Sequence, residues 1–477
     1  MLRRLTHKVR VQSYNERWIK IALPLWILWL LLAINSWRSL SPYTDVAFYT
    51  TIIFSASLNS KACLLPSFLL LSLYTPMTLS TPRPYLIIIL ILLSISFLKG
   101  AFARFSAVAR MPLVIFASLF TLLFAISCIG AEDSSTATSN TLFMVQGWVF
   151  LILLLLLLDC TETSLFTMKT IAALAAMAFF ISLANFYWRD DMWVTSFSLS
   201  MRKLSELEAL DKYALMYGSI VLGQRIMYAG LEPNYWGTQL QFPFWLAVGL
   251  MGASHKLTSK LLWGSASTLV LLGILGSCSR SSFLTLIAIG VLFSLRNATK
   301  VVLPLTILAL ACYVFLLMNP LMMERYSGIL ESATTTGGTG RLALWDKVQT
   351  NWANSFLVGS GPSSFFSTFG QVTHNTYLQT LYELGIIGLG LYLSIIYVGL
   401  RSWYLLIVLA KSQNDNHLRW LAEGGFMGTL ATCVNCASIT AQDAGLVWLP
   451  LAIGAALYAH TSRSTENIDI PLRALLK

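Results

Sequence analysis

Charge is what this chain has least of. Only 11% of its 477 residues are Asp, Glu, Lys or Arg, against about 25% in soluble globular proteins. That shortage, with 56% apolar residues and a mean hydropathy of +0.69, excludes a large soluble domain. It leaves an all-α, polytopic integral membrane protein. A disulfide framework is missing too. Seven cysteines, Cys63, Cys128, Cys160, Cys278, Cys312, Cys433 and Cys436, sit in or beside apolar runs, where cysteine behaves as a small hydrophobe. Cys433 and Cys436 form a C-x-x-C with no second pair, so neither zinc nor redox chemistry is read from them. Internal repeats, heptads and low-complexity tracts are absent. No small-residue cleavage site closes the first apolar run, which begins at Ile19 behind the basic stretch Met1–Arg10; it is read as a retained span.

Apolar runs long enough to cross a hydrocarbon core of ~30 Å are what the chain has in abundance. They predict spans near 19–37, 46–60, 62–75, 85–98, 112–130, 142–158, 168–187, 235–253 and 261–277. Further spans are expected near 281–295, 301–318, 376–398, 402–440 and 445–460. The total is about 12–14 helices, and an even number puts both termini on one side. Five segments follow: a membrane bundle over 1–187, an outer segment over 188–231, helices bearing Arg280 over 232–318, a long outer loop over 319–375, and helices with a tail over 376–477.

Basic residues set the orientation. Lys61, Lys99, Arg104, Arg110, Lys169, Lys256, Lys260, Arg296, Lys300, Arg401, Lys411 and Arg419 fall in alternate gaps, and Arg463, Arg473 and Lys477 in the tail. This is the positive-inside pattern with both termini cytoplasmic. It accounts for the net charge of +11 without nucleic acid.

The two long outer segments break the pattern. The first carries Leu204, Leu207 and Leu210 at the spacing of an amphipathic surface helix. The second predicts a short helix from about Arg341, with Trp345, Val348 and Trp352 on one side, after Gly337-Gly338-Thr339-Gly340 with Thr339 as N-cap. Loops of that length between spans are usually functional.

Charges in apolar surroundings mark candidate sites. Arg280 interrupts an apolar stretch within Ser277-Cys278-Ser279-Arg280-Ser281-Ser282. It reads either as a functional cation, because an unpaired guanidinium at membrane depth costs several kcal/mol, or as a helix-end arginine snorkelling to water. Arg225 precedes Glu232-Pro233-Asn234, where Pro233 can open a helix; Arg225 reads as an anion ligand or as a surface partner of Glu232. Arg341 is a third arginine on the same face, a phosphate ligand or a solvated helix start. A planar fork that stays charged at every relevant pH suits pyrophosphate. His374, one of five histidines, is the one at the outer start of a span, where a neutral imidazole can accept a proton; a structural histidine is the alternative. Asn375 follows it. Glu383, nine residues on, reads as an orienting group or as an arginine partner. Asp190 and Asp191 read as solvated loop charges.

Taken in order, these motifs resemble a known family. Glu232-Pro233-Asn234, Ser279-Arg280-Ser281, Gly340-Arg341 with Trp345, Gly359-Ser360-Gly361, and His374-Asn375-Thr376-Tyr377-Leu378 with Glu383 and Gly385 look like the bacterial O-antigen ligases and O-antigen polymerases. The resemblance is concentrated in residues 223–388. It implies a glycosyltransferase acting at the outer face of the inner membrane, with its site facing the periplasm. Its donor would be an undecaprenyl-pyrophosphate-linked glycan. The acceptor would be the lipid A core in a ligase, or a second lipid-linked glycan in a polymerase. Carried over by position, His374 would be the general base, and Arg225 and Arg280 would hold pyrophosphate. No cofactor or metal is expected, because the leaving group already carries its charge to the arginines. A span count of about fourteen exceeds the twelve usual for ligases and fits some polymerases. The competing class is a lipid or polysaccharide transporter, which would be expected to show repeated halves with paired broken helices. The candidate site residues here are confined to outer segments of the second half.

Overall fold

The computed structural model describes residues 101–131, 133–187, 233–317, 341–441 and 445–465. The first four expected spans and the 188–231 segment, with Arg225, lie outside them. So do Glu232, Thr339 and the Asp190–Asp191 pair. Every regular element among the described residues is helical. The chain folds as an all-α, polytopic membrane protein. After a short helix at Phe105–Ala109 come α1 (Pro112–Ser127), α2 (Ser134–Leu157), α3 (Thr161–Tyr187), α4 (Pro233–Gln239), α5 (Gln241–Ala253), α6 (Leu257–Gly276) and α7 (Arg280–Leu317). They are followed by α8 (Arg341–Asn351), α9 (Ser364–Phe369), α10 (Thr376–Ser412), α11 (Asn416–Asn435) and α12 (Gly445–Thr465). Among the described residues, Pro112–Gly130, Ser134–Leu157, Thr161–Phe180, Leu257–Gly276 and Thr376–Ser412 are long and apolar enough to cross a membrane.

Side-chain caps account for several helix starts. Asp133 accepts from Ser135 N (3.2 Å) and Thr136 N (3.1 Å) to open α2. The hydrogen bonds from Thr136 hold its carboxyl below the usual carboxylate value. Asp415 accepts from Leu418 N (2.9 Å) at the head of α11. Pro233 is the first residue of α4, where its missing N–H costs nothing.

Two expected breaks are not where the charges suggested. Spans 281–295 and 301–318 form the single 38-residue helix α7, ~57 Å long at 1.5 Å per residue. The residues expected to divide them, Arg296-Asn297-Ala298-Thr299-Lys300, include neither glycine nor proline, and Pro304, which removes the one ladder bond to the Lys300 carbonyl, lies within the helix without ending it. Likewise α10 runs through Arg401, a lone exposed charge, and breaks at Gly385 instead, with φ 66° and ψ −168°.

The core is built on aromatic side chains set against glycines. The indole of Trp403 is fully buried and donates to the carbonyl of Pro450 inside α12 at 3.0 Å. A Cβ at Gly425 or Gly454 would overlap that ring. Helices α5 and α11 approach so closely that a Cβ at Gly249 would lie 2.8 Å from the carbonyl of Trp420. Small residues at such crossings are how membrane helices gain contact without a hydrophobic driving force.

Candidate functional site

The site is assembled from polar residues that sew helix ends together at one end of the bundle. Asn375 is the N-cap of α10; its side chain accepts from Tyr377 N (3.0 Å) and Leu378 N (3.1 Å). His374, immediately before it, is half-buried and has a left-handed backbone, φ 51°. Histidine tolerates that region better than most residues, and such positions cluster at functional sites.

The residues on either side pin this conformation. Thr373 is fully buried; its hydroxyl donates to Asn375 O (2.8 Å) and accepts from Asn375 N (3.1 Å). Its carbonyl accepts from the Trp345 indole at 3.0 Å. Its N–H donates to Gln379 Oε1 at 3.0 Å, and the Gln379 amide donates in turn to Glu383 Oε1. Glu383 is 1% exposed. The nine-residue gap between His374 and Glu383 is therefore bridged by a glutamine one helical turn before Glu383 and six residues after Thr373, which the sequence reading did not single out.

Arg341 opens α8 and lies one turn ahead of Trp345, whose ring reaches the residue next to His374. As expected for one apolar side, Val348 is buried and Trp345 and Trp352 pack on the same cluster, around Phe365 and Tyr382. A lysine of the same helix, Lys347, lies over the Phe369 ring at 5.0 Å.

Arg280 and Asn234 are tied in from the other side. Arg280 is the first residue of α7, half-buried behind a turn in which Cys278 has φ 49°. Ser282, two residues on, donates its hydroxyl to Ser279 Oγ (3.0 Å) and receives the Asn435 amide (2.8 Å). The same amide donates to Thr238 Oγ1 of α4 at 2.8 Å, and Gln241 Nε2 reaches Ser282 O at 2.8 Å. Asn234 sits one turn before Thr238, which donates to its carbonyl (2.7 Å).

The turn after α11 closes the ring. Thr376 donates to Ile439 O (2.7 Å) and accepts from Ala441 N (3.0 Å), while the Tyr235 hydroxyl donates to Thr440 O. Residues 435–441 are thus a hub joining the ends of α4, α7 and α10. The elements carrying Asn234, Arg280, His374 and Asn375 meet there, with Arg341 joined through Trp345. The sequence reading passed over Asn435 because it lies between Cys433 and Cys436, buried free thiols that drew attention to metal chemistry. An asparagine in an apolar run was the available signal.

The Gly359-Ser360-Gly361 loop completes the arrangement. Where α10 opens at Gly385, the carbonyls of Tyr382 and Glu383 accept from Ser360 N (3.1 Å) and Gly361 N (2.9 Å). Below the break, Ile386 N and Ile387 N donate to Phe356 O (2.9 Å) and Leu357 O (3.3 Å). Gly359 has φ 74°, and a Cβ there would overlap the Glu383 backbone; one at Gly385 would overlap Leu357. Both glycines are required by contact as well as by conformation.

Fold and site together define a multi-pass membrane protein in which one cross-linked set of buried polar residues joins the ends of α4, α7 and α10. Residues 265–393 of it match the family model described as O-antigen ligase, which supports the family the sequence resembles. The matched stretch contains Arg280, Arg341, His374, Asn375 and Glu383. No curated protein matches the chain. The match supports an enzyme of the ligase or polymerase type acting on lipid-linked glycans.

Proposed function

We propose that the chain is an O-antigen-ligase-type glycosyltransferase that moves a glycan from undecaprenyl pyrophosphate to a hydroxyl of the lipid A core. The observation that carries this reading is the match over residues 265–393, which takes in Arg280, Arg341 and His374, whose elements are sewn to one end of the bundle. In this reading the reaction occurs at the periplasmic face of the inner membrane, with both termini cytoplasmic. His374 takes the proton of the acceptor hydroxyl as that oxygen attacks the anomeric carbon. The bond from the anomeric carbon to the pyrophosphate oxygen breaks with inversion, and its electron pair leaves on the pyrophosphate. Arg280, Arg341 and Arg225 stabilise that growing charge, which counts for more in a partly dry site than in water. Glu232, Asn234, Asn375 and Glu383 are supporting residues for His374 and the arginines.

The test supplies purified protein with an undecaprenyl-pyrophosphate-linked glycan, with and without lipid A core. Glycan appearing on the core, and abolished by His374→Ala in a protein that still inserts and folds, is the expected result. Products that lengthen on the carrier would make the enzyme a polymerase. Normal transfer by His374→Ala would remove the general-base assignment.

A further inference from the structure

We propose that residues Phe356–Val358 form a wedge embedded in the bilayer, seated among the acyl chains of the leaflet on the His374 side. The loop belongs to a segment read from sequence as lying in water, yet its three side chains are apolar and exposed, at 45%, 57% and 53%. Backbone hydrogen bonds fix them beside Ile386 and Ile387 of α10, which are exposed in the same way. From there an exposed stripe continues down one face of α10 through Leu393 and Tyr397 to Arg401, at the spacing of a helix face turned to lipid.

Depth follows from helix geometry. Ile386 stands fifteen residues from Arg401, about 22 Å along the axis at 1.5 Å per residue. The exposed Arg401 guanidinium has to reach the far edge of the hydrocarbon. Snorkelling by ~6 Å still leaves Ile386 inside a core ~30 Å thick. Phe356 and Leu357, paired to Ile386 and Ile387, share that depth. Non-helical backbone is tolerated there only if its polar groups are satisfied within the protein. The opening of α10 at Gly385 supplies partners for the Phe356 and Leu357 carbonyls and for the Ser360 and Gly361 N–H groups. The wedge thus sets the depth of the strap running from Gly361 to His374.

The test uses the full-length protein in proteoliposomes, with its seven native cysteines replaced by alanine. An environment-sensitive fluorophore is attached at Leu357→Cys, and separately at Val358→Cys should the first fold poorly. Ile387→Cys serves as the lipid-facing control and Thr350→Cys, on the exposed side of α8, as the aqueous one. At the wedge positions the expected result is blue-shifted emission, quenching by doxyl-labelled lipid and none by iodide, as at Ile387→Cys. Labelling by a charged maleimide should be slower than at Thr350→Cys by about tenfold or more, because hydrocarbon suppresses the reactive thiolate. Iodide quenching equal to that at Thr350→Cys, or shielding from both quenchers, would overturn the proposal. Glycan transfer is not measured, so the outcome is independent of the functional reading.

Discussion

Replacing Gln379 by leucine tests how His374 is held in place. Gln379 is 3% exposed and spans from the Thr373 N–H (3.0 Å) to Glu383 Oε1. Leucine keeps the volume and the helix propensity but neither hydrogen bond. The Thr373 N–H is then buried without its acceptor, at about 1–3 kcal/mol, and a bond to a carboxylate is lost, at about 1.5–3 kcal/mol. The sum, ~2.5–6 kcal/mol, falls on the residue adjacent to His374, whose φ of 51° requires its neighbours to be fixed. A shift of about 1 Å in a catalytic group costs roughly a hundredfold in rate. The assay is initial velocity against donor concentration, with thermal unfolding followed in the same detergent. The expectation is a kcat lowered by about two orders of magnitude with KM for the lipid-linked donor nearly unchanged. Gln379→Glu alone would set two carboxylates together and should be as poor. Combined with Glu383→Gln it restores an amide–carboxylate pair in the reverse order and should recover much of kcat. A Gln379→Leu protein with wild-type kcat would refute the argument.

Arg280→Ala and Arg280→Lys should both weaken use of the pyrophosphate-linked donor, the alanine variant more severely, because lysine keeps the charge but not the fork; equilibrium binding of the donor to each variant decides it, and normal binding in both would take Arg280 out of the site. Asn435→Ala removes the amide that joins Thr238 to Ser282 and should destabilise the fold by about 1–3 kcal/mol, read as a lowered unfolding midpoint; an unchanged midpoint would dismiss the hub. EDTA should leave the purified activity within about twofold of its starting value, and strong inhibition reversed by magnesium would revive Asp190 and Asp191 as ligands. The Asp133 carboxyl lies below its ordinary 3.8; its capping contribution is full above that value and is lost as pH falls through the lower one. Hydrogen-exchange protection at the start of α2, corrected for intrinsic rates, should therefore be equal at about pH 7 and pH 5, and a fall at pH 5 would contradict the cap.

Helix positions were legible because the signal for them is additive along the chain. Starts at Pro112, Pro233, Arg341 and Thr376 follow from proline, caps and apolar onset, each local to a few residues. Breaks were harder. Arg296 and Lys300 suggested an interruption, but charge alone does not stop a ladder of backbone bonds. Gly385 was marked only as part of the motif that ends with Glu383, and its role as a break shows only when Leu357 lies against it. A break in a membrane helix leaves N–H and carbonyl groups that must find partners elsewhere in the chain, so it is specified by two distant segments at once. Gly359 and Gly385 are that pair, separated by twenty-six residues and each barred to any side chain by the backbone next to the other.

The same reasoning explains why the candidate site divided into a visible and a hidden part. Arg280, Arg341 and His374 stand out because a charged or titratable group in apolar sequence is rare and costly. Thr373, Thr376, Gln379 and Asn435 are neutral, and a neutral polar residue in a span draws little notice because it can satisfy itself on its own helix. Thr380, for example, donates to Thr376 O one turn back, at 2.7 Å. What distinguishes the hidden set is that its bonds cross between segments, from α10 to the 439–441 turn and from α11 to α4 and α7. A lost cross-link leaves both partners buried and unpaired, so these residues fix geometry more strongly than their neutrality suggests. In the proposed reading His374 is held for proton transfer by its neighbours, because Thr373 and Asn375 are each fixed by hydrogen bonds of this kind.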